Sequence, residues 1–264
     1  MKLTVLADNH TYIDEYYLGE PAFSCFLETE GKGILLDTGY SDVFLKNAAA
    51  MGLSVEDADF VVLSHGHNDH TGGLRPLMEA MGHRRGVLVA HPEVFAPKFD
   101  GGEPVGSPVT AEELKARFAL RLSREPLWLT ERLVFLGEIP ELAEPRAAVG
   151  TLTDGTPDRC LDDSALAWVG QKGVYIVTGC SHSGICNIVE YARQVTGVGR
   201  VAGILGGFHL MTRDERSRRT MDYLAREAIP ELWPCHCICF RVRAEMSRRM
   251  DVGEVGVGLT LKWL

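Results

Sequence analysis

Long apolar runs are missing from this chain. No stretch of the 264 residues approaches the ~20 consecutive apolar positions of a membrane span. Positive charge is also short: 27 Lys and Arg against 36 Asp and Glu give a formal net charge of −9. That balance argues against general nucleic-acid binding, which needs basic surface to neutralise phosphates, although it leaves room for a local basic pocket. The first ten residues turn polar too soon, at Asp8-Asn9-His10, for a signal peptide. A cytoplasmic location with reduced thiols is therefore expected. A full set of paired cysteines is missing too, because the seven cysteines are an odd number and cannot all pair. Three of them crowd into Cys235-His236-Cys237-Ile238-Cys239, which looks more like site chemistry than a disulfide framework. The remaining composition, 45% hydrophobic and 24% charged, is that of an ordinary soluble globular protein.

What is present concentrates in Ser64-His65-Gly66-His67-Asn68-Asp69-His70-Thr71-Gly72-Gly73. His65, His67, Asp69 and His70 put four potential metal ligands within six positions. The apolar, β-branched run Phe60-Val61-Val62-Leu63 before them reads as a buried strand, and Leu74-Arg75-Pro76-Leu77 after them as a helix start. The ligands thus sit on a strand-to-helix loop. Residues two apart in extended backbone point the same way, so His65 and His67 can grip one cation, and the turn that follows can aim Asp69 and His70 at a second. Imidazole suits zinc, iron and nickel, while a carboxylate widens the range towards manganese. Two divalent ions are expected, zinc first, with iron or manganese as alternatives. Such a pair lowers the pKa of bound water to ~7 and acts as a Lewis acid on an anionic oxygen.

Along the chain, strands are expected at 2–7, 22–28, 33–39, 60–63, 86–90 and 133–137, and helices at 42–51, 74–81 and 111–120. Residues 96–109, rich in Pro and Gly, read as a flexible binding loop. His91 ends a strand and is a candidate ligand by position; His10 reads as an exposed loop residue. The second half restarts with a hairpin, 165–169 and 173–178, then a helix at 185–195, a strand at 201–205, a helix at 220–227, a strand at 233–237 and a terminal strand at 255–261. Three of its strand ends carry a histidine: His182, His209 and His236. Ligands at strand termini of a layered α/β fold converge on one edge.

The pattern His-x-His-x-Asp-His resembles the signature of the metallo-β-lactamase superfamily. That resemblance implies a single α/β domain over 1–264, a four-layer αββα sandwich with metals at one edge between two sheets. It also implies that Asp37, in Asp37-Thr38-Gly39, supports the histidine loop by hydrogen bonds. Gly179-Cys180-Ser181-His182, Gly184-Ile185-Cys186-Asn187-Ile188, Gly206-Gly207-Phe208-His209-Leu210 and His236-Cys237 resemble a narrower branch, typified by the archaeal dihydropteroate synthase-like enzymes. Its name implies joining a dihydropterin-methyl diphosphate to an aminobenzene ribofuranosyl phosphate, while many bacterial members are simply metal-dependent hydrolases. Two positions depart from the pattern. Most superfamily members place a metal-bridging aspartate where this chain has Cys180, so either Cys180 or His182 can take the ligand role, and a thiolate favours a softer metal. The branch usually follows His-Cys with Thr-Gly, where this chain has Ile238-Cys239.

The expected site is therefore His65, His67, Asp69, His70, His182 and His236 as metal ligands, with Asp69 and His209 in catalysis. The arginines Arg213, Arg216, Arg218 and Arg219 after His209, and Arg241 and Arg243 after His236, suit a phosphorylated small-molecule substrate. A non-catalytic alternative places iron or an iron–sulfur cluster on Cys180, Cys235, Cys237 and Cys239, although cluster ligation usually wants spaced cysteines.

Overall fold

One row of side chains shows how the layers are built. Val5, Cys25, Leu36, Val62 and Val89 lie in register across five neighbouring strands, and all five face the same buried interior. They belong to a seven-stranded sheet ordered Thr260–Lys262, Lys2–Ala7, Ser24–Thr29, Lys32–Leu36, Phe60–Val62, Gly86–Ala90 and Phe118–Leu122 in the computed structural model, which describes residues 1–264. From Lys32–Leu36 onward the pairing is parallel. A second sheet of six strands, ordered Glu231–Cys235, Val201–Gly207, Gly173–Thr178, Ala165–Gly170, Leu133–Phe135 and Leu127–Trp128, supplies the opposing row Phe135, Leu166, Val177 and Leu205.

Because side chains alternate along a strand, the intervening residues face outward. Leu35, Val61, Leu63, Leu88 and Ala90 pack against Phe44, Leu74, Leu77 and Leu114 from the helices on the outside of the first sheet. Val174, Ile176 and Ile204 pack against Ile188, Val189, Leu224 and Val242 from helices Ile185–Thr196, Glu215–Glu227 and Phe240–Met246. The order helix, sheet, sheet, helix is the expected αββα sandwich. No helix is long and apolar enough to cross a membrane.

Several expectations needed correction. The helix expected at 111–120 is one turn, Ala111–Leu114, followed by the edge strand Phe118–Leu122. Helix Glu215–Glu227 begins five residues before the expected start, because Asp214 and Ser217 form a reciprocal capping box. The terminal strand is Thr260–Lys262, not 255–261, and helix Phe240–Met246 was not foreseen. The segment read as a flexible loop contains two short strands, Lys98–Asp100 and Glu103–Pro104, which join Thr151–Leu152 in a third sheet. This small sheet carries the buried Lys98 towards the histidine loop.

Candidate metal centre

Four chain segments meet at one edge of the sandwich. In the second sheet Thr178, Gly206 and Pro234 lie level in parallel register, so the residues after them emerge together. These bring Cys180, His182, His209 and His236 opposite the loop that follows Phe60–Val62. Close approach demands glycine here: a Cβ on Gly66 would overlap the Val94 carbonyl, and one on Gly179 would overlap Ser64. Asp37, Ser181, His209 and His236 hold left-handed backbone angles of +57°, +58°, +45° and +54° without being glycine. Strain of this kind persists where surrounding structure over-determines it.

The potential ligands form two sets. His65, His67 and His182 form one; Asp69, His70, Cys180 and His236 form the other, and within each set the ligand atoms lie within 4.8 Å of one another. The rings of His65 and His70, with centroids 4.2 Å apart, place the sets side by side. Both open into a pocket of about 380 Å³ that His209 also lines.

Each ring is turned by a neighbour. A carboxylate only accepts, so the 2.7 Å contact between His70 Nδ1 and Asp37 Oδ2 puts the proton on Nδ1 and leaves Nε2 facing the site, 3.2 Å from Cys180 Sγ. Asp37 also accepts from the Ser64 backbone N–H and the Ser64 hydroxyl, both at 2.7 Å. With its proton so committed, Ser64 Oγ accepts from His65 Nδ1 at 2.9 Å, and His65 Nε2 faces inward. His236 Nδ1 donates to Asn9 Oδ1 at 3.0 Å, and Asp8 accepts the His236 backbone N–H at 3.0 Å. Its Nε2 lies 3.2 Å from Asp69 Oδ2. His182 has no such partner: both its ring nitrogens are buried without a hydrogen bond.

These residues fit divalent ions. Buried nitrogens without partners are costly unless a ligand takes them, and His67 Nε2, His236 Nε2 and both nitrogens of His182 are of this kind. His65 Nε2 and His67 Nδ1 are 3.1 Å apart, while a tetrahedral ion with bonds of about 2.05 Å sets its ligands roughly 3.3 Å apart.

The two sets differ in charge. Burial, reinforced by neighbouring rings, holds the pKa of His65 well below its ordinary value, and that of His182 likewise. Burial depresses His67 as well. In the other set burial also works against the charged imidazole of His70, but Asp69 and Asp37 overcome it and raise its pKa. Burial pushes the Cys180 thiol up strongly. Burial opposes the charge of Asp69, yet His70 and His236 keep its carboxyl below the usual range. Burial and the charge of Arg216 bring His209 down to about 4.

A further network lies behind the histidine loop and was not anticipated. Lys98 Nζ, buried, donates to Asp158 at 2.9 Å and Asp162 at 2.8 Å. Asp162 in turn accepts the Gly66 N–H at 2.7 Å, between His65 and His67. Asp163 similarly holds Ser183, next to His182, through its backbone N–H and hydroxyl. Asp162-Asp163 at the start of strand Ala165–Gly170 was the one available sequence signal, since charged pairs are rarely placed inside a fold unless partnered. His67 also approaches Asp158 and Cys160, but Asp158 is already neutralised by Lys98.

His91 is not at the centre. It caps the short turn Pro92–Phe95 by accepting the Glu93 N–H, and its other nitrogen faces Glu138. His10 is exposed, as read. Cys235 packs in the inter-sheet core, Cys239 begins helix Phe240–Met246, and no three thiols form a ligand group. Arg213 is paired with Glu245 at 2.8 Å, whereas Arg216 is half-buried.

Comparison with known proteins agrees with this geometry. Residues 18–158 match the family model described as the metallo-beta-lactamase superfamily. The chain is 31% identical to an uncharacterized protein, MJ0448, of Methanocaldococcus jannaschii over 96% of this chain and 98% of that protein. It is 29% identical to the 7,8-dihydropterin-6-methyl-4-(beta-D-ribofuranosyl)-aminobenzene-5'-phosphate synthase of the same organism, over 91% of this chain and 88% of the synthase. Among solved structures, Tm1679, described as a metal-dependent hydrolase of the beta-lactamase superfamily, superposes with a TM-score of 0.86 at 25% identity, over 99% of this chain and 98% of that one. On sequence, fold and the arrangement of its histidines, the chain belongs to the metallo-beta-lactamase superfamily.

Proposed function

We propose that this chain is a cytoplasmic, single-domain, two-metal enzyme acting at a phosphate ester or diphosphate of a small molecule. His65, His67 and His182 would hold one ion, and Asp69, His70, His236 and Cys180 the other. The observation that carries the reading is the pair of ligand sets side by side in one pocket, with buried nitrogens that have no other partner. The synthase relative, whose named product carries a 5'-phosphate, supports the substrate class. Cys180 in the second set favours zinc over manganese, because thiolate is a soft ligand.

Bound ions would supply Lewis acidity to a phosphoryl oxygen and activate water. The chain's own residues do the rest. Asp37, Ser64 and Asn9 fix the tautomers of His70, His65 and His236, so that three lone pairs converge without rearrangement. His209, with its ring centroid 4.4 Å from that of His182, lines the pocket. Its pKa of about 4 keeps it neutral near pH 7, so it orients substrate by hydrogen bonding and does not carry a standing charge. Asp69 remains ionised and is partly exposed to the pocket, where it can accept a proton from a nucleophile.

The test offers the metal-loaded protein a phosphodiester and a dihydropterin-methyl diphosphate with an aminobenzene acceptor, and measures ester cleavage and diphosphate release. Turnover on either that disappears in Asp69→Ala supports the proposal. Protein carrying two metal equivalents that turns over neither would refute it.

A further inference from the structure

A cavity larger than the metal pocket lies elsewhere in the molecule. It has a volume of about 540 Å³, lies between residues 143–147 and helix Glu215–Glu227, and shares no lining residue with the metal pocket. A volume of this order holds a small organic molecule. The two spaces are neighbours nonetheless. Arg216, in the wall of the cavity, acts electrostatically on His209. Glu144, in the same wall, packs against Gly184, two residues from His182.

Several of the charges around the cavity are paired. Arg219 is tied to Glu215, Arg226 to Glu227 and Asp222 to Arg249. Glu144 accepts the Cys186 N–H at 3.1 Å. Two guanidinium groups have no carboxylate partner. Arg146, buried, donates only to the carbonyls of Ile139, Arg159 and Cys160. Arg216, half-buried, makes no ion pair at all. At the cavity wall Thr220 is 1% exposed, and its hydroxyl has no hydrogen-bond partner. In a protein of net charge −9, two unpaired arginines and an unused hydroxyl at one cavity are a local basic feature against the global field. A guanidinium fork matches phosphate oxygens, and a hydroxyl can complete the set.

We propose that this cavity is a second binding site, which takes the phosphate group of a small phosphorylated molecule and has Arg216 as its principal anchor. It rests on the proposed function only for the choice of phosphate as ligand class; the metal ions are not part of it. The phosphate has two potential sources, one of the reacting substrates or a separate effector, and the chemistry of recognition is the same for both.

The experiment is calorimetric titration of metal-loaded full-length protein with pyrophosphate. Wild type should show two binding events, one at the metals and one in the cavity. Arg216→Ala should weaken the cavity event roughly ten- to a hundredfold, the effect of losing one charge-assisted contact. Ala143→Trp, which fills the exposed mouth of the cavity, should remove the same event and leave the other. Asp69→Ala should do the reverse. A cavity event that survives while Asp69→Ala changes nothing would defeat the two-metal reading and leave this one standing. A single event that is lost in Asp69→Ala and unmoved by Arg216→Ala and Ala143→Trp would overturn the second site. Once turnover is measured, Arg216→Ala raising KM at constant kcat identifies a substrate phosphate. Unchanged turnover with a lost response to added phosphate identifies an effector.

Discussion

The two halves of the proposed metal centre differ in their charge before any ion binds. The His65, His67 and His182 half is built of imidazoles whose pKa values burial depresses. It is ready to bind, because neutral imidazole has no proton to lose. The Asp69, His70, Cys180 and His236 half contains a carboxylate, a histidine whose pKa is raised by Asp69 and Asp37 against burial, and a thiol that burial keeps protonated. A cation entering there must displace protons. A shared pocket therefore need not mean shared affinity: one half is preorganised and neutral, and binding at the other requires proton release.

The largest effect should come from cutting the support of the imidazole half. Lys98→Met leaves Asp158 and Asp162 buried without their counter-ion, and removing one partner of a buried pair costs ~3–5 kcal/mol. Urea unfolding should show a loss of that size, and because Asp162 also holds Gly66, the imidazole half should lose its ion before the mixed half does. Stability within 1 kcal/mol of wild type, roughly the worth of an exposed pair, would show that the network is not what holds this half.

Next is the support of the mixed half. Asp37→Ala removes the acceptor of His70 Nδ1 and both Ser64 contacts. Metal affinity at the mixed half should fall ~10–100-fold, the usual effect of losing an outer partner of a ligand. Competition with a chromophoric chelator measures it; unchanged affinity would mean His70 is oriented by something else.

The pH response should separate the halves without mutation. In the metal-free chain, His65 and His182 stay neutral below the ordinary imidazole value of 6.5, so the unfolded chain takes up protons first and their contribution to stability is lost as pH falls below 6.5. His70 has the opposite sign: its raised pKa gives stability that is full below 6.5 and lost as pH rises through the folded value. Metal competes with those protons, so on dialysis from about pH 8 to about pH 6 the mixed half should release its ion first. Loss of both ions together would erase the distinction.

The smallest effect belongs to Arg213→Ala. Arg213 is exposed and paired with Glu245, and such surface pairs contribute ~0–1 kcal/mol. Stability and pyrophosphate binding should both stay within error of wild type, in contrast to Arg216→Ala.

The comparison also shows what could be read beforehand. The metal loop, the buried strand before it and the strand-end histidines were legible, because the apolar run Phe60-Val61-Val62-Leu63 and the dense ligand pattern are local signals, whereas the layers and the role of Asp37 came from the family resemblance. The placement of both Cys180 and His182 was not. The two sit two residues apart, and only the left-handed turn at Ser181 sends one to each half. Lys98 was hidden for a different reason: it lies in a Pro- and Gly-rich segment that looks like a loop, and its two carboxylate partners are 60 and 64 residues away. His91 misled because a strand-end histidine before proline is also how a short turn is capped.

The central claim is that His182 completes one half and Cys180 the other. Its most direct test is metal content by mass spectrometry, with cobalt-loaded spectra, for wild type, His182→Ala and Cys180→Ala. Wild type should hold two equivalents and each variant one, with the near-ultraviolet thiolate-to-cobalt band kept in His182→Ala and lost in Cys180→Ala. Two equivalents in His182→Ala, or a thiolate band that survives in Cys180→Ala, would contradict it.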